Sequence, residues 1–504
     1  MKKSALFFFL SVFAFCSQAY PPKLKDAFII AHRGGMERGM VENTLDAFQR
    51  SYDAGIRGFE TDVRITKDGH LVILHNKTPE HIFGVDKAIE SMTLEEVSKL
   101  RSKKGGHPLP TLEQILDFFA DKPGCYIEWE MKTSDHKTYT PELLKEYCRK
   151  LHDRALAKKP ADSVYAFTSF DIEALETMRA IDADCDIGYI TGKPCDEKCI
   201  AIAKKVKATR ICCGNARTTR KMVQEAQKAG FQVNVWPGMT LKDYYLAKGL
   251  GANICCVNIP VTVREHQMAA KRLVCIDLDG TLTQHRSPLE KENREVLEKL
   301  MRRYKCVMVG AGNAPRIYKQ MGNFPIEIIG NYGMQESKIV DGEFRIVKQV
   351  TNTVDKAFFA EKTDYLRKKY GYTEFAGNSV EFHPSGMVTF ALLGTKADRA
   401  DKLVFDRDRA KRRKMYPEVL KIFKDYSVYI GGTTSFDIAP LRYNKYDAVL
   451  DYAKRNGYTL DEIVFIGDDL EDGGGDSHVR IKGMDFIQIV DYKRFPKNVE
   501  ILLK

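Results

Sequence analysis

The chain has 504 residues, 44% of them hydrophobic and 29% charged, with a formal net charge of +11. That length exceeds one ordinary core, so two or more domains are expected, and the composition excludes fibrous and disordered classes. The charge suits anionic small molecules or an anionic membrane surface, but no nucleic-acid motif accompanies it. The richest basic run, Lys396 to Lys414, has acids interleaved and reads as a solvated helical face.

The chain opens with Lys2 and Lys3 before the apolar stretch Ala5 to Phe15, and Ser17-Gln18-Ala19 suits cleavage before Tyr20. Residues 1–19 therefore read as a signal peptide, and the chain as exported to a periplasm or beyond the cell. Cys16 offers a lipid anchor as an alternative, which Phe15 directly before it disfavours. No later segment is apolar enough to span a bilayer. Export permits disulfides, yet removing Cys16 leaves an odd number of cysteines and none lies beyond Cys306. Cys212-Cys213 and Cys255-Cys256 follow isoleucines in short apolar runs and read as small buried hydrophobes. Cys195 and Cys199 are open either to pairing or to a metal, but zinc would want a second ligand pair nearby.

From Phe28 to about Pro260, short apolar strands alternate with amphipathic stretches. Phe28 to Ala31, Gly58 to Val63, Leu71 to Leu74 and Tyr126 to Met131 read as strands. So do Val164 to Phe167, Ile187 to Ile190, Arg210 to Cys213, Gln232 to Val235 and Ile254 to Val257. Thr44 to Gly55, Pro141 to Leu156, Ile172 to Ile181 and Thr218 to Gly230 read as helices. This alternation predicts an α/β fold, an eight-stranded (β/α)8 barrel over residues 20–261. Residues 262–271 read as a polar helical linker. A second α/β pattern starts at Arg272 with the run Leu273 to Ile276, continues through Cys306 to Val309 and closes with Ile463 to Ile466. Residues 272–504 thus form a second domain with a Rossmann-like core and an inserted cap at about 347–430.

Function in such a barrel sits where strands end. Ala31 leads into His32-Arg33-Gly34-Gly35, and Glu42-Asn43-Thr44 opens a helix. Glu60 and Asp62 lie two apart on one strand face, as do Glu128, Glu130 and Lys132 on another. His75 follows the run ending in Leu74. Carboxylates gathered at a strand-end mouth repel one another, so a hard divalent cation, Mg2+ or Ca2+, is the expected counter-charge. Two histidines beside it suggest acid/base work at phosphorus, with Arg33 and the cation neutralising the developing charge. These motifs, with Thr66-Lys67-Asp68-Gly69, Pro110-Thr111-Leu112 and Glu130-Met131-Lys132 in order, resemble the glycerophosphodiester phosphodiesterase family over roughly Tyr20 to Pro260. The resemblance implies a triosephosphate-isomerase-type barrel that hydrolyses glycerophosphodiesters to a glycerol phosphate and an alcohol. It implies metal binding by Glu60, Asp62 and Glu130, with His32 and His75 as the acid/base pair and Arg33 and Lys132 on phosphate. Glu128 rivals Glu130, but the Glu-x-Lys spacing favours Glu130. Trp236 is either a wall of the glycerol pocket or plain packing. His70, His81 and His107 read as surface residues. A departure falls at Val257-Asn258, where the family tends to have Thr-Asp, and it bears on the leaving-group pocket.

In the second domain, Val274-Cys275-Ile276-Asp277-Leu278-Asp279-Gly280-Thr281 is a strand ending in two acids and a glycine turn. Asp277 could attack phosphorus and Asp279 could protonate the leaving oxygen, with Mg2+ bringing anion to anion. Asp468, Asp469 and Asp476 stand at another strand end, and Lys445 could neutralise nucleophile and phosphate together. The pattern resembles the haloacid dehalogenase superfamily, and several segments are similar to eukaryotic-type phosphomannomutase: Asn331-Tyr332-Gly333-Met334, Glu381 to Met387, and Gly431-Gly432 to Lys445. That resemblance implies Asp277 as nucleophile, Asp279 as acid/base, Lys445 as positive partner, and Asp277, Asp279, Asp468 and Asp476 around the metal. Val309 is followed by Gly310-Ala311-Gly312-Asn313 rather than Ser or Thr, so backbone amides or Asn313 must contact phosphate. His383 and Thr395-Lys396 stand where the mutase has cap arginines, which favours a phosphatase over a mutase. The expected whole is a two-step hydrolase of small phosphodiesters and then monoesters. The alternatives are a C-terminal domain that acts on an unrelated sugar phosphate, or one that binds phosphate without turnover.

Overall fold

The computed structural model describes residues 28–160 and 163–504. The expected signal peptide, its cleavage point and the alternative of an anchor at Cys16 lie outside the described residues.

Eight parallel strands close into a barrel: Phe28–Ala31, Gly58–Ile65, Tyr126–Met131, Val164–Ser169, Asp186–Thr191, Arg210–Gly214, Gln232–Gly238 and Ile254–Val257. The first pairs with both its neighbours, which closes the ring. The expected strand at Leu71 to Leu74 forms as Leu71–Ile73 but stays outside the ring, antiparallel to the end of Gly58–Ile65. The link between them, Thr66 to His70, is a tight turn with Gly69 at φ 80. A link that short allows only a hairpin, because a parallel return needs a crossover of about a dozen residues. Helices Leu112–Ala120, Glu197–Lys205 and Leu241–Leu250 are additional to those expected. Their start signals were in the sequence: Thr111 with Gln114 and Thr240 with Asp243 form capping boxes, and Asp196 accepts from the Cys199 amide.

The second domain is a seven-stranded sheet. Its strands run in the order Glu343–Gln349, Gln335–Val340, Glu327–Gly330, Lys305–Val309, Leu273–Ile276, Ile463–Gly467 and Phe486–Gln488. The last five in that order are parallel, and the first two form an antiparallel hairpin. The cap is a separate four-stranded antiparallel sheet backed by helices Lys356–Tyr370 and Ala410–Ile422, with Phe359, Phe390, Val419, Phe423 and Phe436 in its core. It reaches further than about 347–430, because Ser435–Pro440 lies between Val388–Ala391 and Tyr426–Tyr429 and pairs with both.

The expected linker at 262–271 is instead part of a packed helix, Pro260–Ala269. Met268 is fully buried in the core of the second domain. Arg264 donates to the Phe486 carbonyl at 2.9 Å, and Lys271 donates to the Asp461 carbonyl at 2.7 Å and pairs with Asp485. Of the polar residues that suggested a linker, Arg264 and Lys271 are buried against acceptors of the neighbouring domain. Among the described residues, no helix is long and apolar enough to cross a membrane.

Candidate functional site

The barrel strands carry acids in register. Asp62 lies opposite Glu130 and Glu60 opposite Glu128 across the parallel pair. Side chains two apart share a face, so all four point into the barrel. Glu60, Asp62 and Glu130 offer oxygens within 4.8 Å of one another, and all three are buried. Glu128 is excluded from that group. It accepts from Tyr126 at 2.5 Å and from Asn234 at 3.0 Å, within the closed interior of the barrel beside Arg210.

Basic groups ring the three acids. Lys132 donates to Glu130 at 2.7 Å and lies 3.4 Å from Asp62, while the Arg33 guanidinium donates to Glu42 at 3.0 Å and lies 3.5 Å from Asp62. Arg33 has φ 53, and this kink turns its amide to donate to Glu60 at 3.0 Å. Asn43 donates to Asp62 at 2.8 Å, fixed in turn by Thr61. Burial drives Asp62 upward but is outweighed by Lys132, His75 and Arg33, which hold it well below the carboxylate range. Burial, Asp62 and Glu130 push Glu60 well up, and burial lifts Glu130 to about 7 against the pull of Lys132. Glu60 Oε1 is buried with no hydrogen-bond partner. Three carboxylates, with Glu60 Oε1 and Asp62 Oδ1 both lacking a hydrogen-bond partner, fit a divalent cation such as Mg2+ or Ca2+.

His32 and His75 flank this group. His32 Nε2 is 3.7 Å from Glu60, and its Nδ1 is 2.6 Å from Asn258 Oδ1. That amide oxygen can only accept, so Nδ1 carries the proton and Nε2 is left as the basic nitrogen. Burial, then Arg33, lowers the His32 pKa to about 4. His75 Nδ1 is 2.8 Å from Asn76 Oδ1, and burial lowers its pKa too. Asn258 was legible only as a departure from the Thr-Asp pattern; the structure shows it orienting His32. Trp236 is half-buried, with its ring edge-on to the exposed Phe170 at 5.7 Å. His70 and His81 are exposed, and His107 is half-buried in its loop. Cys195 and Cys199 are buried free thiols.

In the second domain Asp277, Asp468 and Asp476 also offer oxygens within 4.8 Å of one another. Lys445 opens the helix Lys445–Arg455 and is buried, 2.7 Å from Asp277 and 2.7 Å from Asp476. Burial lowers its pKa less than Asp277 and Asp476 raise it, so it stays protonated. Burial lifts Asp476 to about 7 against Lys445, and burial, Asp277 and Asp469 lift Asp468 well up. Gly280 has φ 95, and a Cβ there would overlap the Asp468 carboxylate. This all-oxygen set fits Mg2+.

Two expected residues stand elsewhere. The Asp279 carboxylate is turned away from the three acids. It accepts from Arg316 at 3.1 Å, Gln320 at 2.7 Å and the Arg286 amide at 2.7 Å, so it is not placed as a metal ligand. Burial raises its pKa less than Arg316 and Gln320 lower it. Asn313 is exposed, and its side-chain oxygen caps the helix Ala314–Gln320 by accepting from the Arg316 amide at 2.9 Å, which leaves phosphate contact to its NH2 group and the backbone. A residue that sequence reasoning missed is Arg409. It extends from the cap, at φ 60, to pair with Asp469 beside the acid group.

Comparison with known proteins divides the chain at the same place. Residues 32–262 match the family model of the glycerophosphoryl diester phosphodiesterase family, and residues 274–473 that of the haloacid dehalogenase-like hydrolases. The chain therefore joins one domain of each kind. A glycerophosphodiester phosphodiesterase of Caldanaerobacter subterraneus subsp. tengcongensis is 38% identical over 100 residues, 19% of this chain and 41% of that protein. The phosphomannomutase of Encephalitozoon cuniculi is 24% identical over 220 residues, 42% of this chain and 84% of that one. Among solved structures, an Oleispira antarctica phosphodiesterase in complex with sn-glycerol-3-phosphate aligns with 47% of this chain and 94% of its own, at 20% identity and a TM-score of 0.43.

Proposed function

We propose that the barrel hydrolyses glycerophosphodiesters to a glycerol phosphate and an alcohol, and that the C-terminal domain removes phosphate from a small monoester, glycerol phosphate first among them. The observation that carries the reading is the buried three-carboxylate group at the barrel's strand ends with His32 and His75 beside it. Glu60, Asp62 and Glu130 would hold a divalent cation, which supplies positive charge against the phosphoryl oxygens. Arg33 and Lys132 orient the phosphate and stabilise charge as it develops. One histidine accepts the proton of the attacking oxygen, and the other protonates the departing alkoxide. His32 is suited to the first task because Asn258 leaves its Nε2 unprotonated. Trp236 and Phe170 present apolar surface to the glycerol or leaving group.

In the second domain Asp277 is the nucleophile, and Lys445, 2.7 Å from it, places a positive charge beside the incoming phosphate. Asp468 and Asp476 complete the acid group that would hold Mg2+. For Asp279 to move a proton it must exchange Arg316 and Gln320 for the substrate oxygen. A scaffold without turnover is the less favoured reading, because a buried Asp277–Lys445–Asp476 network gives up solvation for no structural need. Residues 1–19 fit export, which would place both steps outside the cytoplasm.

The test is phosphate release from glycerophosphocholine or glycerophosphoglycerol, with glycerol 3-phosphate followed in time. Wild type should release phosphate, Asp277→Asn should accumulate glycerol phosphate, and the His32→Ala, His75→Ala variant should do neither. A wild type that stops at glycerol phosphate would remove the second step and leave the first.

A further inference from the structure

The two domains meet by their strand starts. On the barrel side the contacts come from Asp53 before Gly58–Ile65, Gly124 before Tyr126–Met131, Lys248 at the end of the helix before Ile254–Val257, and Arg264 of the closing helix. On the other side they come from Asp461 before Ile463–Gly467, Asp485 before Phe486–Gln488, and Arg480 and Lys497. Both acid groups stand at the opposite ends of these same strands. Glu130 closes Tyr126–Met131, and Asp277 and Asp468 directly follow Leu273–Ile276 and Ile463–Gly467. The sites therefore open in opposite directions.

Among the described residues, packed side chains stand between them. The barrel interior below Glu130 is filled by Ile30, Tyr126, Ile254 and Cys256, with Glu128, Arg210 and Asn234 buried among them. The contact between domains is sealed by buried Arg264, Met268 and Lys271. At about 3.3 Å per residue, the two strand layers place on the order of 30 Å of packed protein between the sites.

Resting on the two-step reading above, we propose that the monoester made at the barrel passes to bulk solvent and enters the C-terminal site from outside, so that this site draws on phosphomonoesters from any source. Linking two activities raises local concentration only where the geometry lets one site feed the other. Here the shared chain contributes co-delivery and no passage. Each step stays chemically complete by itself. At the barrel water displaces the alcohol from the diester phosphorus. At the C-terminal site Asp277 displaces the remaining alkoxide, which leaves as the alcohol, to give an aspartyl phosphate that a second water hydrolyses to inorganic phosphate and free Asp277.

The experiment mixes two full-length variants, Asp277→Asn and His32→Ala/His75→Ala, and compares them with wild type at equal concentration of each working site. Each variant's surviving activity confirms that it is folded. Phosphate release from glycerophosphocholine should run at a wild-type to mixture ratio of about one. Both should show a lag that shortens as enzyme is added, and glycerol-3-phosphate dehydrogenase with NAD should suppress the phosphate in both. Wild type faster than the mixture, with no lag and resistant to the trap, would overturn the proposal. If Asp277→Asn makes no monoester, or the histidine variant fails on added glycerol 3-phosphate, the two-step reading fails and the proposal falls with it.

Discussion

Replacing Asn258 by aspartate should move the acid limb of the diesterase reaction to higher pH. The amide oxygen of Asn258 sits 2.6 Å from His32 Nδ1, and burial, then Arg33, holds that imidazole at about 4. Asn258→Asp places a full negative charge on nearly the same atom. An opposite charge in such contact raises a pKa by about 1–3 units, so His32 would titrate between about 5 and 7. Each unit is about 1.4 kcal/mol in favour of the imidazolium. The sign follows from the role: a proton acceptor works only when neutral, and stabilising its protonated form removes it from action as pH falls. At about pH 5 the variant should lose up to about a hundredfold in kcat/KM relative to its own plateau, while wild type stays near its plateau. The assay is kcat/KM for glycerophosphocholine against pH, both proteins at the same saturating cation concentration. Acid limbs at the same pH would refute the assignment of His32 as acceptor. A uniform loss at every pH would mean that Asn258 acts by position and not by charge.

Glu130→Gln should abolish diesterase activity and weaken cation binding by calorimetry. Glu128→Ala should leave binding intact yet cost about 1–3 kcal/mol in urea unfolding, because it leaves the buried Tyr126 hydroxyl and Asn234 amide without their acceptor. Gly280→Ala should remove the monoesterase step alone, since its Cβ meets Asp468 and φ 95 strains any side chain; diesterase activity measured on the same sample is the control. Chelation should stop both steps, and titrating back Mg2+ and Ca2+ separately should restore them with different cation preferences if the two oxygen sets are distinct sites.

The sequence determined the two-layer plan. Alternating apolar runs and capped helices required a barrel and then a parallel sheet, and strand periodicity alone put Glu60 with Asp62 and Glu130 with Lys132 on common faces. Motif order brought His32, His75, Asp277 and Lys445 into view because the first three fall just after strands and Lys445 opens a helix. What local pattern cannot encode is which neighbour a polar group meets across the fold. Glu128 and Glu130 share a face, and their depth in the closed barrel decides that one meets Tyr126 and, across the interior, Asn234 while the other meets Lys132. Asp279 has the same spacing argument as a ligand would, yet Arg316 and Gln320, some forty residues on, claim its carboxylate. Lys271 looked like linker polarity until Asp485 closed over it. Asn258, Arg409 and the opposed mouths of the two domains became visible only in three dimensions, since long-range pairing and strand direction at the interface are set by packing between segments distant in sequence.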